Sequence, residues 1–116
     1  YQLSARLYLV AFGEIQRQVT MAVPSALRTV VYRRLMVRIA DRLALGLGAQ
    51  GLVTGDVIGQ VASQTLENLQ VTSAATRLPI YRPLVGMDKD EITAQAERIG
   101  TYGISIQPDE DCCTLF

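Results

Sequence analysis

The sequence holds 116 residues with a formal charge of zero, eleven Lys and Arg against eleven Asp and Glu, no His, two Cys and 49% apolar residues. This composition fits one small soluble domain or part of one, and it excludes His-based acid/base triads, His metal sites, four-cysteine zinc sites and a disulfide framework. Lys89 is the single lysine, so nearly all positive charge is carried by guanidinium groups, which suit planar, bidentate recognition of phosphate or carboxylate.

Arginines interrupt every apolar run before it reaches the roughly 20 residues of a membrane helix, so no membrane association is expected. The thiols, side by side at Cys112 and Cys113, fit a reducing, cytoplasmic compartment. The start, Tyr1-Gln2-Leu3-Ser4-Ala5-Arg6, has neither an initiator Met nor the layout of a signal peptide, which points to a longer parent chain. Charge is uneven along the sequence. Seven arginines against Glu14 and Asp41 give the first fifty residues +5, and the remainder carries −5. The basic half is the one able to face a polyanion.

Arg6-Leu7-Tyr8-Leu9-Val10-Ala11-Phe12, closed by Gly13, predicts a strand. A helix is expected over 14–23, with Ile15, Val19 and Val23 on one line and Pro24 as the stop. Ser25 is the expected N-cap of a longer helix, whose apolar line is Leu27, Val31, Leu35, Ile39 and Leu43 and which ends at Gly46-Leu47-Gly48. The run 49–55 predicts a buried parallel strand, and 59–69 a helix with Val61, Thr65 and Leu69 on one line and Gln60, Gln64 and Asn68 on another. Prolines at 79 and 83 make the segment between them extended and place it near a sheet edge. Asp88 with Glu91 three residues on has capping-box spacing for a last helix, in which Ile92, Ala96 and Ile99 form the apolar line before Gly100. Strands alternating with helices predict an α/β fold with a parallel sheet flanked by helices.

Three groups of residues can carry chemistry. Thr54-Gly55-Asp56 falls at the carboxyl end of a predicted strand, where open parallel sheets bind ligands, and Gly59, Gln60, Ser63 and Gln64 follow at a helix mouth. Helix-terminal N–H groups attract anions and glycine permits close approach, so a nucleotide suits this place; a plain turn capped by Asp56 is the competing reading. Arg33 and Arg34 flank the apolar line of the long helix, where one can meet a phosphate while the other is solvated. The line Arg34, Arg38 and Arg42 is spaced to follow an RNA backbone. Cys112 and Cys113 follow Asp109-Glu110-Asp111, and acidic neighbours raise a thiol pKa, which opposes unaided nucleophilic reactivity.

The block Thr54-Gly55-Asp56-Val57-Ile58-Gly59-Gln60-Val61-Ala62-Ser63-Gln64-Thr65-Leu66-Glu67-Asn68-Leu69 resembles a signature of the tRNA 4-thiouridine synthetases, the bifunctional tRNA and thiamine-pathway sulfurtransferases. Three other stretches are similar to the same family in the same order: Tyr32-Arg33-Arg34-Leu35-Met36, Arg82-Pro83-Leu84-Val85-Gly86-Met87-Asp88-Lys89, and Ile99-Gly100-Thr101 leading to Asp111-Cys112-Cys113. Family members usually carry Glu and Ser where Asp56 and Val57 stand. The resemblance implies a Rossmann-like PP-loop (adenine-nucleotide α-hydrolase-like) fold, with Arg33, Gly55 and Gln64 on ATP-contacting positions and Mg accompanying ATP. It implies adenylation of a tRNA uridine, displacement of AMP by sulfur from a cysteine persulfide, and an acceptor cysteine at Cys112 or Cys113, with the ungapped match favouring Cys112. The implied partners are tRNA, a cysteine desulfurase and a ubiquitin-like sulfur carrier, with a homodimer compatible. The Ser-Gly-Gly-x-Asp-Ser phosphate loop of that fold and the ferredoxin-like and THUMP modules are not among these 116 residues. Residues 1–116 are therefore expected to be the distal portion of the catalytic domain, with its first part missing and no activity alone. The alternatives are a non-catalytic nucleotide- or RNA-interacting remnant, or another PP-loop enzyme such as an amidating synthetase or a tRNA lysidine-forming ligase.

Overall fold

The computed structural model describes residues 4–59 and 61–108. Helix α1 spans Gly13–Ala22 and α2 spans Ser25–Gly46; strand β1 is Leu52–Val53, and a single 3-10 turn covers Ala62–Gln64. Helix α3 is Leu66–Ser73, strand β2 is Ile80–Tyr81, α4 is Lys89–Arg98, and the short α5 is Tyr102–Ser105. β1 and β2 pair in parallel, Leu52 with Ile80 and Val53 with Tyr81, and α3 lies on the connection between them. The molecule is thus mixed α/β around a short two-stranded parallel sheet.

Several expectations differ from the structure. Residues 6–12 form no strand: no other strand among the described residues pairs with them, and an extended segment gains little until its N–H and C=O groups are paired. Ser25 is the first helical residue rather than the cap. Pro24 holds the cap position at φ −54° and ψ 142°, and its side chain makes no capping bond. The helix expected from residue 59 begins only at Leu66, because Gly59 sits at φ +78° and Thr65 Oγ1 accepts from Asn68 N–H at 3.2 Å, which fixes the true start. The capping box of α4 is present on both sides: Glu91 N–H donates to Asp88 Oδ1 at 2.8 Å and Asp88 N–H to Glu91 Oε2 at 2.9 Å. The apolar line of α4 is less covered than expected, with Ile99 52% exposed.

The buried apolar residues are Val19, Val37, Ala44, Val57 and Leu69. They bring α1, α2, α3 and the chain after β1 together. α1 lines up as its spacing predicts, Val19 buried between half-buried Ile15 and Val23. On α2 the buried residues are Val37 and Ala44, whereas Leu27 on the expected line is exposed and Val31, Leu35, Ile39 and Leu43 are half-buried. Two tethers set the angle between α1 and α2. Tyr32 packs edge-on against Phe12 with its hydroxyl 3.1 Å from Thr20 Oγ1, and Arg28 donates to Val23 O at 3.0 Å and Thr20 O at 2.9 Å, satisfying carbonyls at the end of α1.

Candidate functional site

The ladder of β1 runs one residue past the strand, Thr54 N–H donating to Tyr81 O at 3.0 Å, and the chain then turns through Gly55 into Asp56. Asp56 is 4% exposed, and a buried carboxylate needs compensation on both oxygens. One oxygen, Oδ1, takes Arg33 Nη2 from α2; the other, Oδ2, takes Arg82 Nε at 2.9 Å from the residue after β2 and Thr54 Oγ1 at 2.7 Å. Arg82 Nη2 continues to Ser73 Oγ on α3 at 2.9 Å, and Ser73 Oγ–H donates to Leu69 O at 2.7 Å. One carboxylate therefore ties α2, both strand ends and α3 together, and it meets two guanidiniums, Arg33 and Arg82.

From Asp56 the chain enters a closed loop. Ile58 N–H donates to Val85 O at 3.1 Å, Gly59 N–H to Gln64 O at 3.2 Å, and Val57 N–H to the side-chain Oε1 of Gln64 at 3.1 Å. That last bond assigns the amide oxygen of Gln64 to the loop and leaves its NH2 as the face that can donate to a ligand. Beside it lies a cavity of about 310 Å³, walled by Arg28, Tyr32, Arg33 and Met36 of α2 and by Ser63 and Gln64 of the 3-10 turn. Among the described residues two guanidiniums and no carboxylate line it, so the field they set favours an anion. A second hollow of about 200 Å³ lies across Arg33 and is bounded by Thr54, Asp56 and Thr72.

The predicted site residues distribute unevenly over this geometry. Arg33 and Gln64 share the larger cavity. Gly55 does not line it, and stands between Thr54 and Asp56, which line the smaller hollow. Gln60, Cys112 and Cys113 lie outside the described residues. Arg34 is half-buried and donates to Val71 O near the end of α3, which ties it to that helix; Arg38 and Arg42 are exposed. Asp56, for which a plain turn cap is the competing reading, holds two arginines, and one of them, Arg82, belongs to none of the three groups that the sequence marks for chemistry. A strand-end acid in a chain whose cations are almost all arginine was the available signal. Among the described residues no acidic or cysteine cluster is arranged to hold a metal ion, and no helix is long and apolar enough to cross a membrane.

These features define an α/β segment whose arginine, amide and acidic side chains gather where the chain leaves a parallel strand, the usual ligand side of such sheets. All of residues 1–116 match the family model of the thiamine biosynthesis protein ThiI, and the chain belongs to that family. It is 57% identical to a probable tRNA sulfurtransferase of Thermus thermophilus, 48% identical to one of Caldanaerobacter subterraneus and 53% identical to one of Treponema pallidum, in each case over its whole length. It spans 29%, 30% and 29% of the length of those three relatives. The structure superposes on a 4-thiouridine synthetase crystallised with RNA and bound ATP, with a TM-score of 0.83 and 46% identity, covering 91% of this chain and 28% of that one.

Proposed function

We propose that residues 1–116 form the distal portion of the PP-loop ATP-binding domain of a tRNA sulfurtransferase, which activates a tRNA uridine with ATP and installs sulfur to give 4-thiouridine. The observation that carries this reading is the cavity on which Arg33 of α2 and Gln64 of the 3-10 turn converge, lined by no acid among the described residues, since charge, amide donor and size all suit a nucleotide. Arg33 meets the nucleotide's negative charge, Gln64 donates from its NH2, and Gly55 lets the nucleotide approach the strand end. Family membership supports the chemistry: ATP, bound with Mg, adenylates the uridine carbonyl oxygen with loss of pyrophosphate; the outer persulfide sulfur then attacks the activated carbon and expels AMP, and a second thiol attacks the acceptor sulfur, forming a disulfide with it and freeing 4-thiouridine. Cys112 receives that sulfur from a cysteine desulfurase, with Cys113 as the alternative acceptor. The same sulfur supply serves thiamine thiazole synthesis. This role places the protein with tRNA in the cytoplasm, and the 116 residues alone lack the parts needed for turnover.

The test uses a full-length sulfurtransferase carrying these residues. Arg33→Ala and Gln64→Ala should each weaken ATP binding by about 1–3 kcal/mol, the usual cost of losing a charge-assisted or buried hydrogen bond. Arg34→Ala should leave calorimetric ATP affinity nearly unchanged, because its guanidinium is bonded to Val71 O. Unchanged affinity in both Arg33→Ala and Gln64→Ala overturns the nucleotide reading. With a cysteine desulfurase supplied, Cys112→Ser should abolish 4-thiouridine formation and Cys113→Ser should not; loss only in Cys113→Ser moves the acceptor one residue along, and activity in the double variant removes the persulfide role.

A further inference from the structure

We propose that Asp56 is a positioning residue for the nucleotide site: its buried carboxylate fixes the orientation in which Arg33 faces the cavity. The inference rests on the reading of Arg33 as a nucleotide contact and goes beyond it by assigning what makes that contact rigid. An arginine on a helix surface has many rotamers, and a binding site that must freeze them on ligand arrival loses affinity for it. Here the ordering occurs on folding. Asp56, 4% exposed, accepts from Arg33 Nη2 on one oxygen and from Arg82 Nε and Thr54 Oγ1 on the other. The Arg33 side chain keeps 24% of its surface exposed and lines both the larger cavity and the hollow behind it, so it is anchored on one side and presented on the other.

Charge makes the same demand. Arg33 and Arg82 approach a single carboxylate from different elements, and without its charge the two cations would repel across a poorly hydrated gap. Arg82 cannot readily retreat, because its other arm is bonded to Ser73 Oγ. Arg33, the more exposed of the two, is the one that would swing away. Loss of the Asp56 charge is thus transmitted to the cavity through Arg33 in particular, and that direction is what separates positioning from general support of the fold.

The experiment is a double-variant cycle on ATP binding in a full-length sulfurtransferase carrying these residues, with thermal melting measured in parallel. Asp56→Asn, which keeps shape and removes charge, should weaken ATP binding about ten-fold, within the range of coupling between contacting residues. Asp56→Glu, which restores the charge, should recover most of that loss. In an Arg33→Ala background, Asp56→Asn should have no further effect on ATP affinity although it still lowers the melting temperature. Should Asp56→Asn fail to fold, Thr54→Val removes one bond to Oδ2 at nearly constant volume, and it should give a smaller loss that likewise vanishes without Arg33. Additive losses, or normal ATP affinity in folded Asp56→Asn and Thr54→Val, overturn the inference alone. Normal ATP affinity in Arg33→Ala removes Arg33 as a nucleotide contact and this inference with it, and normal affinity in Gln64→Ala as well overturns the nucleotide reading.

Discussion

At the scale of single residues, Gly55 shows how fold and ligand demands can be separated. A Cβ built at Gly55 meets nothing within 4 Å among the described residues, and its φ is outside the left-handed region, so none of those residues requires glycine there. Gly55→Ala should therefore fold at least as stably as the parent, the gain being about 0.4–1 kcal/mol from a less flexible unfolded chain. If the nucleotide approaches the strand end closely, the same variant should bind ATP markedly more weakly. Calorimetry and thermal melting on one preparation check both halves, and unchanged affinity would remove Gly55 from the site. Local patterns mark Arg33 only together with Arg34, as arginines flanking an apolar line, and Gln64 as an amide after a strand-end glycine; the family resemblance selects Arg33 from the pair, and the structure brings Arg33 and Gln64 to one cavity. Asp56 was legible only as an acid near a turn, since its partners Arg33 and Arg82 are distant in sequence and spacing carries no information about where they converge.

At the scale of elements, the junction between the two strands depends on Gly51. A Cβ there would lie 2.8 Å from Tyr81 Cε2 and 3.2 Å from Pro79 O, the carbonyl that accepts from Leu52 N–H at 2.9 Å. The ring can move, but the carbonyl is held by the ladder, so Gly51→Ala should destabilise by about 1–3 kcal/mol, as overpacking typically does. Urea unfolding of the full-length protein would register the change, and Gly55→Ala, expected to fold at least as stably as the parent, serves as its control. Helix α1 carries a second testable feature at its exposed start. The Arg17 guanidinium, and then the Gln18 amide, hold the Glu14 carboxyl below its ordinary value of 4.5. A depressed carboxylate stabilises the fold above its unfolded value and loses that contribution as pH falls through the folded one. The stability difference between the parent and Glu14→Gln should therefore shrink as pH drops below 4.5, and shrink also in high salt, because the pair is solvent-exposed. A difference independent of pH would show that the pair contributes nothing measurable. α1, α4 and the proline-bounded strand were readable because capping, periodicity and proline stops act within a few residues. The segment 6–12 and the start of α3 were not, since one depends on a partner strand and the other on a turn built by Gly59 and Thr65.

At the scale of the whole molecule, the apolar surface sets the last expectation. Leu7, Leu9, Met21 and Ile104 are 83%, 88%, 75% and 71% exposed, and no described apolar side chain is more than 98% buried. α2 is apolar on two faces: one, at Val37 and Ala44, is buried, while the other borders an apolar hollow of about 250 Å³ lined by Val10, Phe12, Met36, Ile39, Ala40 and Leu43. Large apolar side chains beside an open hollow suit burial in a larger core, and each one left exposed forgoes about 1.5–3 kcal/mol of burial. The single parallel pair β1–β2 has open edges on both sides among the described residues. The 116 residues produced by themselves should consequently bind a hydrophobic dye such as ANS, self-associate with rising concentration and melt broadly, and they should form no AMP from ATP and unmodified tRNA. The same residues carried within a full-length sulfurtransferase should be silent to the dye and melt cooperatively. A monomeric, dye-silent 116-residue chain with a sharp transition would mean that the exposed faces fold over one another in solution, and AMP formation by that chain would show that the nucleotide site is complete within it.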